Sequence, residues 1–307
     1  MTTFNDWIEK VFRRVYSGPA DTTVNLTIAV NDTTPTFTVD GQNTAMRIGA
    51  ILAVDLELVY VTNWVPSNSS TGVATVVRGY NGSVAAAHDI HSLIYVNPRY
   101  SKFDCGVALN DELLRLSSPG NGLFRLGVQT VTYNPVYMGY DLQQAIDDGF
   151  IDIMEIRHKI PYPTRNYPAI RKWKVLRSIP DTGVFPSGAG IVLYETGYPG
   201  QPVYIQYSAA FKTVDSADWD STTPATDLTG MTATMMDIPP LGAEIQLTLP
   251  REIRRNFMDT QPDPRRAAEV PAGAVSSSVQ ALQILYNTRV SEEADRLMRQ
   301  YTRVEGW

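Results

Sequence analysis

Apolar residues recur at three- and four-residue steps at the start of the chain, at Phe4, Trp7, Ile8, Val11, Phe12, Val15 and Tyr16. That spacing lays one apolar stripe along a helix. Thr3 is placed to cap it, with Asp6 three residues on. Ser17-Gly18-Pro19 stops it, because glycine accepts the left-handed cap and proline cannot continue the helix. The pattern then changes to short β-rich runs at residues 24–30, 36–39, 50–54, 56–64, 72–78 and 93–96, separated by turn residues such as Asn31-Asp32, Asp40-Gly41 and Asn81-Gly82. These predict a small antiparallel β domain. Its strand at 56–64 alternates imperfectly, as expected of a strand buried on both faces.

A second helix is predicted from Asp104 as N-cap, carrying Val107, Ala108, Leu109, Leu113, Leu114 and Leu116, and ending at Ser117-Ser118-Pro119-Gly120. Strands follow at 128–133, 173–177, 190–195, 202–209 and 243–249, with a helical turn at 142–147. Their spacing predicts a sandwich or jelly roll. Residues 212–237, with Asp215, Asp218 and Asp220, read as a polar surface excursion. A final helix over 278–303 places Leu282, Tyr286, Val290, Ala294, Leu297 and Tyr301 on one stripe. On its other face Glu292 and Arg296, and Asp295 and Arg299, stand four residues apart as charge pairs.

The predicted fold is therefore mixed and β-rich. It comprises an N-terminal helix (1–20), a small antiparallel β domain (21–98), a central helix and connection (99–125), a β-sandwich-like or jelly-roll-like domain (126–260), and a C-terminal arm and helix (261–307). The three helices are expected to form a layer framing the β domains.

Composition narrows the function classes. With 307 residues and 43% apolar content the chain can bury a real core. A net charge of −6 argues against wrapping a nucleic-acid backbone, which needs a dense basic surface. The cations are 20 Arg and only 6 Lys, and nine Arg with no Lys fall within 251–303. That bias suits bidentate contacts with protein carboxylates. Cys105 is the single cysteine, so no internal disulfide forms, and it is expected as a small buried hydrophobe. No apolar run reaches the roughly 20 residues of a membrane helix, and the first residues lack a basic n-region and apolar core. The expectation is a chain made and kept soluble.

Candidate chemistry is sparse. His88 and His91 flank Asp89, but a metal site needs another ligand, and His158 is remote in sequence. There is no Gly-x-Ser-x-Gly elbow and no phosphate-binding glycine loop ahead of a helix. The pairs Asp147-Asp148 and Glu292-Glu293 read as solvated surface, and the Asp215 to Asp220 cluster lacks a calcium-loop pattern. No cofactor is expected, and no enzyme activity.

The run Arg78-Gly79-Tyr80-Asn81-Gly82-Ser83-Val84-Ala85-Ala86-Ala87-His88, followed by Tyr95-Val96-Asn97-Pro98-Arg99-Tyr100, resembles a segment of tailed-phage virion proteins. There an R-G-x-x-G-T-x-A-x-x-H hairpin closes a small β domain and leads through N-P-R-F into a helix; here Ser83 replaces the usual threonine. Gln261-Pro262-Asp263-Pro264-Arg265-Arg266-Ala267-Ala268-Glu269-Val270-Pro271 and the final helix look similar to the same group. The resemblance implies a head–tail connector, or neck, protein of the virion, made in the host cytoplasm. Identical subunits would form a ring of about twelve copies between portal and tail proteins. Genome DNA would pass through it without specific binding, and no membrane would be involved. Leu282, Tyr286, Val290, Leu297, Tyr301, Arg265 and Arg266 are the expected docking residues toward a portal or neighbouring subunit. The alternatives are a tail or baseplate adhesin binding host glycans, a capsid decoration protein, and a glycan-degrading enzyme, whose two carboxylates leave no local mark.

Overall fold

The structure is a computed structural model that describes residues 2–15, 22–40, 45–67, 71–137, 139–161, 167–180, 183–259 and 274–301. The helices are α1 (Phe4–Val15), α2 (Lys102–Leu116), α3 (Gln143–Asp147), α4 (Ala225–Thr229), α5 (Ile238–Asp259) and α6 (Ala274–Gln300). Together with antiparallel sheets they make a mixed, β-rich fold with helices at the N-terminus, centre and C-terminus. The chain divides into two compact units. The first holds Met1–Glu112, Val214–Ala225 and Asp237–Tyr286; the second holds Leu113–Thr213, Thr226–Met236 and Asn287–Trp307.

The first unit is built on β1 (Thr22–Asn25), β2 (Thr36–Asp40), β3 (Ile51–Val54), β4 (Glu57–Pro66), β5 (Thr71–Val77) and β6 (Leu93–Val96), in the order β1-β6-β3-β4-β5-β2. Its two outer strands meet each other. Leu26 bridges Val39, the Thr27 N–H donates to the Thr38 carbonyl at 2.9 Å, and the Asn25 amide donates to the Asp40 carboxylate at 2.9 Å. The sheet thus curls into a nearly closed barrel whose interior holds Leu26, Phe37, Leu52, Val59, Val61 and Ile94. β4 begins with Glu57, Leu58 and Val59 all buried, a strand covered on both faces in its first half.

Helix α1 buries Phe4, Trp7, Ile8, Val11, Phe12 and Val15, and it packs on α5. Its start is a reciprocal capping box. The Asp6 N–H donates to the Thr3 hydroxyl at 3.2 Å and the Thr3 N–H to the Asp6 carboxylate at 2.8 Å. Helix α2 uses the same device one turn earlier than the sequence pattern predicts. Ser101 is the cap, and Asp104 is the acid three residues on that accepts from the Ser101 N–H at 2.9 Å. Cys105 is fully buried on α2, and burial pushes its thiol up to about 12.

Two expectations are corrected here. Residues 243–249 are helix, not strand, because Ile238, Leu241, Gly242 and Ile245 recur at helical steps. Pro239 and Pro240 sit in the first turn, where their missing N–H groups cost nothing. The polar stretch over 212–237 is a surface excursion only in part: Asp215, Asp218 and Asp220 are exposed, but the stretch is anchored by buried side chains. Trp219 lies 2% exposed between Phe4 and Phe103, with its indole N–H on the Val214 carbonyl at 2.9 Å.

The second unit is a sandwich of two three-stranded antiparallel sheets. One has the order β10-β11-β8, from β8 (Gly139–Asp141), β10 (Trp173–Arg177) and β11 (Ala189–Leu193); the other has the order β7-β12-β9, from β7 (Arg125–Thr132), β9 (Phe150–His158) and β12 (Pro202–Ala209). Trp173, Ile191 and Leu193 from the first meet Ile153, Ile156, Val203, Ile205 and Tyr207 from the second in one core, which Leu142 at the start of α3 joins. β9 escaped the sequence reading. Its register shift opposite Gln206 and Tyr207 breaks the alternation that would have marked it.

Candidate functional site

Residues 78–92, which carry the phage-like segment, do not form a hairpin. β5 pairs with β4 and β2, whereas β6 lies between β1 and β3, so the segment is a crossover along the barrel. Backbone geometry explains its glycines. Gly79 and Gly82 have φ of 61° and 86°, a region that excludes most side chains, and a Cβ on Gly79 would stand 2.9 Å from the Ser83 carbonyl oxygen.

Glu57, at the start of β4, is 1% exposed and gathers the crossover around itself. Five donors converge on its carboxylate: Arg78 Nε and Nη2, each at 2.7 Å, the Gly79 and Ala86 N–H groups, each at 3.1 Å, and His88 Nε2 at 2.8 Å. The Arg78 fork continues to the Asn31 carbonyl at 2.6 Å, to the Thr34 carbonyl at 3.2 Å and to the Ala86 carbonyl, and its guanidinium lies 5.0 Å over the Phe37 ring. The other nitrogen of His88 reaches Asp55 at 3.3 Å. The His88 backbone pairs with Val30 in both directions at 2.9 Å. Ser83 completes the clasp: its hydroxyl accepts from the Leu58 N–H at 2.9 Å and donates toward the Tyr80 and Leu58 carbonyls.

Charge follows contact. Burial works against the Glu57 carboxylate, yet the Arg78 fork, His88 and two backbone N–H groups outweigh it and hold the group at about 2. Burial likewise works against a charged His88, and the Asp55 and Glu57 carboxylates outweigh that and raise it above its ordinary value. When protonated, His88 donates from both nitrogens. Glu57, with five donors on its carboxylate, and His88, held between two carboxylates, are turned to each other, so the arrangement holds chain segments together. A cleft of about 300 Å³ beside it includes Asn5, Asp55, His88, Lys102 and Asp220, whose polar groups also have partners. Asn5 donates to Asp220 at 2.8 Å and Lys102 meets Glu9 at 2.5 Å.

The end of the segment anchors the next helix. The Asn97 N–H donates to the Ile51 carbonyl at 2.7 Å, and its side chain accepts from the Ile51 N–H at 2.9 Å. Tyr100 donates to the Leu247 carbonyl on α5 at 2.5 Å. Glu57 and Asp55 were not among the candidates from sequence. The available signal was an acid inside the otherwise apolar run from Leu56 to Val61.

The expected docking residues have different fates. Tyr286, Val290 and Leu297 are 5%, 7% and 2% exposed, so the chain itself covers them, while Leu282 and Tyr301 are half-buried. Arg265 and Arg266, with the rest of the phage-like run at 261–271, lie outside the described residues. Exposed apolar side chains on α6 are instead Ile284, Leu285 and Met298. Two acids expected at the surface are engaged. Glu293 is 5% exposed and takes Arg296 at 2.7 Å and the Thr234 hydroxyl at 3.1 Å. Asp148 takes the Tyr207 hydroxyl at 2.6 Å and Arg125 at 3.0 Å. Arg296 thus turns to Glu293, and Glu292 pairs with Arg289 at 2.8 Å. Among the described residues, no three His, Cys, Asp or Glu side chains group to hold a metal ion, and no helix is long and apolar enough to cross a membrane.

No protein-family model matches the chain, and no curated protein matches its sequence.

Proposed function

We propose that the chain is a structural subunit of a tailed-phage virion, assembling as a ring of about twelve copies at the head–tail junction between portal and tail proteins. The observation that carries this reading is the crossover from Arg78 to His88. It holds the residues of the phage-like segment, and its charged groups are all engaged in fixing the crossover to the barrel. A catalytic centre would leave a base or nucleophile reachable by substrate. Ring closure needs two different surfaces on each subunit, and the exposed Ile284 and Leu285 of α6 supply apolar area for one of them. Genome DNA would pass through the ring without sequence-specific contact, in keeping with the net charge of −6.

The test is electron cryomicroscopy of particles carrying a tagged copy of this chain, with native mass spectrometry of the purified protein mixed with portal. A ring at the neck is expected. Label at the tail tip, or spread over the capsid at hundreds of copies, would overturn the assignment.

A further inference from the structure

The outer face of the β7-β12-β9 sheet carries a groove of about 310 Å³ lined by Val128, Glu155, Arg157, Tyr167, Tyr204 and Gln206. Strand register sets its floor. Tyr204 stands opposite Arg157 and Gln206 opposite Glu155, while Val128 flanks Gln206 from β7. Their inward neighbours Val203, Ile205 and Tyr207 fill the sandwich core, so these side chains point away from it.

The wall is Tyr167. The chain beside it runs along the outer edge of β9, where the His158 N–H donates to the Pro168 carbonyl at 3.1 Å and the Ile170 N–H to the Ile156 carbonyl at 2.8 Å. That pairing sets the Tyr167 ring 5.8 Å from the Tyr204 ring at 72°, with Tyr167 itself 42% exposed. Two aromatic surfaces therefore meet at a near right angle above a hydrogen-bonding floor.

The charges on that floor cancel. Arg157 and Glu155 pair at 2.8 Å, which leaves a region with fixed donors and acceptors but no net charge. An anion would be repelled by Glu155 as much as drawn to Arg157, and a cation the reverse. A neutral ligand with one C–H face and a rim of hydroxyls fits best. The C–H groups lie against the electron-rich faces of Tyr167 and Tyr204, and the rim hydroxyls exchange hydrogen bonds with planar Glu155, Arg157 and Gln206. The volume is at the small end for ligand clefts. We infer that this groove binds a neutral saccharide, one or two pyranose rings at a time.

The test titrates the full chain with maltotriose, cellotriose and chitotriose, with sialyllactose as an anionic control, read by saturation-transfer NMR. At least one neutral trisaccharide is expected to bind, about tenfold more weakly in Tyr167→Ala and Tyr204→Ala. Tyr194→Ala removes an exposed aromatic that does not line the groove and should leave binding unchanged. If Tyr204→Ala fails to fold, Tyr167→Ala and Gln206→Ala carry the test, since both keep the core. Three results would overturn the inference: no neutral trisaccharide binding, equal loss in Tyr194→Ala, or preference for sialyllactose. Saccharide binding is independent of where the chain sits in a virion.

Discussion

Replacing Glu57 with alanine would leave the Arg78 guanidinium, 9% exposed, without its carboxylate, and removing one partner of a buried pair costs about 3–5 kcal/mol. Urea unfolding of Glu57→Ala should show a loss of that size, with Arg78→Lys falling between it and wild type because an ammonium cannot make the fork. The clasp also sets a pH window. Glu57 is held at about 2 against an ordinary 4.5, so its contribution is present above 4.5 and is lost as pH falls toward 2. His88 is raised above its ordinary 6.5, so its contribution is full below 6.5 and is lost as pH climbs through the raised value. Stability should therefore peak between about 4.5 and 6.5, and His88→Gln should remove the alkaline limb; an unchanged alkaline limb in that variant would refute the assignment. Ser83→Ala leaves the buried Leu58 N–H without its acceptor and should cost about 1–3 kcal/mol, whereas Ser83→Thr keeps the hydroxyl and should be near neutral.

Among the elements, α1 and α6 were legible because their apolar stripes repeat at helical steps without interruption, and Thr3 with Asp6 marked the first cap. α5 was not. Ala243, Ile245, Leu247 and Leu249 happen to alternate, a strand signal, while the residue that reveals helix packing is a glycine. A Cβ on Gly242 would stand 2.1 Å from Cδ of Glu112 on α2, so the side-chain pattern is blank where α5 meets that side chain. Gly242→Ala should accordingly lower stability by about 1–3 kcal/mol despite its better helix propensity, as measured by thermal unfolding. The burial of Tyr286, Val290 and Leu297 was equally hidden, because the surfaces that cover a stripe are distant in sequence. Leu297→Ala should cost about 2–5 kcal/mol, a loss that circular dichroism melting would report in the isolated protein with no partner present.

At the scale of the whole molecule the mixed, β-rich class with helices at its N-terminus, centre and C-terminus followed from two periods, while the pairing order did not. Nothing in residues 78–92 distinguishes a turn between neighbours from a crossing to β6, since the glycines and the histidine serve both equally. A thiol probe offers a global readout, because Cys105 is fully buried and its thiolate is suppressed. Labelling should proceed only as fast as the first unit opens, and prompt labelling under native conditions would contradict that packing. The meeting of β1 and β2 has its own consequence. Exposed strand edges are where β proteins add neighbours, exchange segments between copies, and seed fibres. A sheet whose first and last strands bond to each other through Leu26 and Val39 presents little such edge, so crowding many copies of this chain side by side does not invite them to polymerise through the barrel.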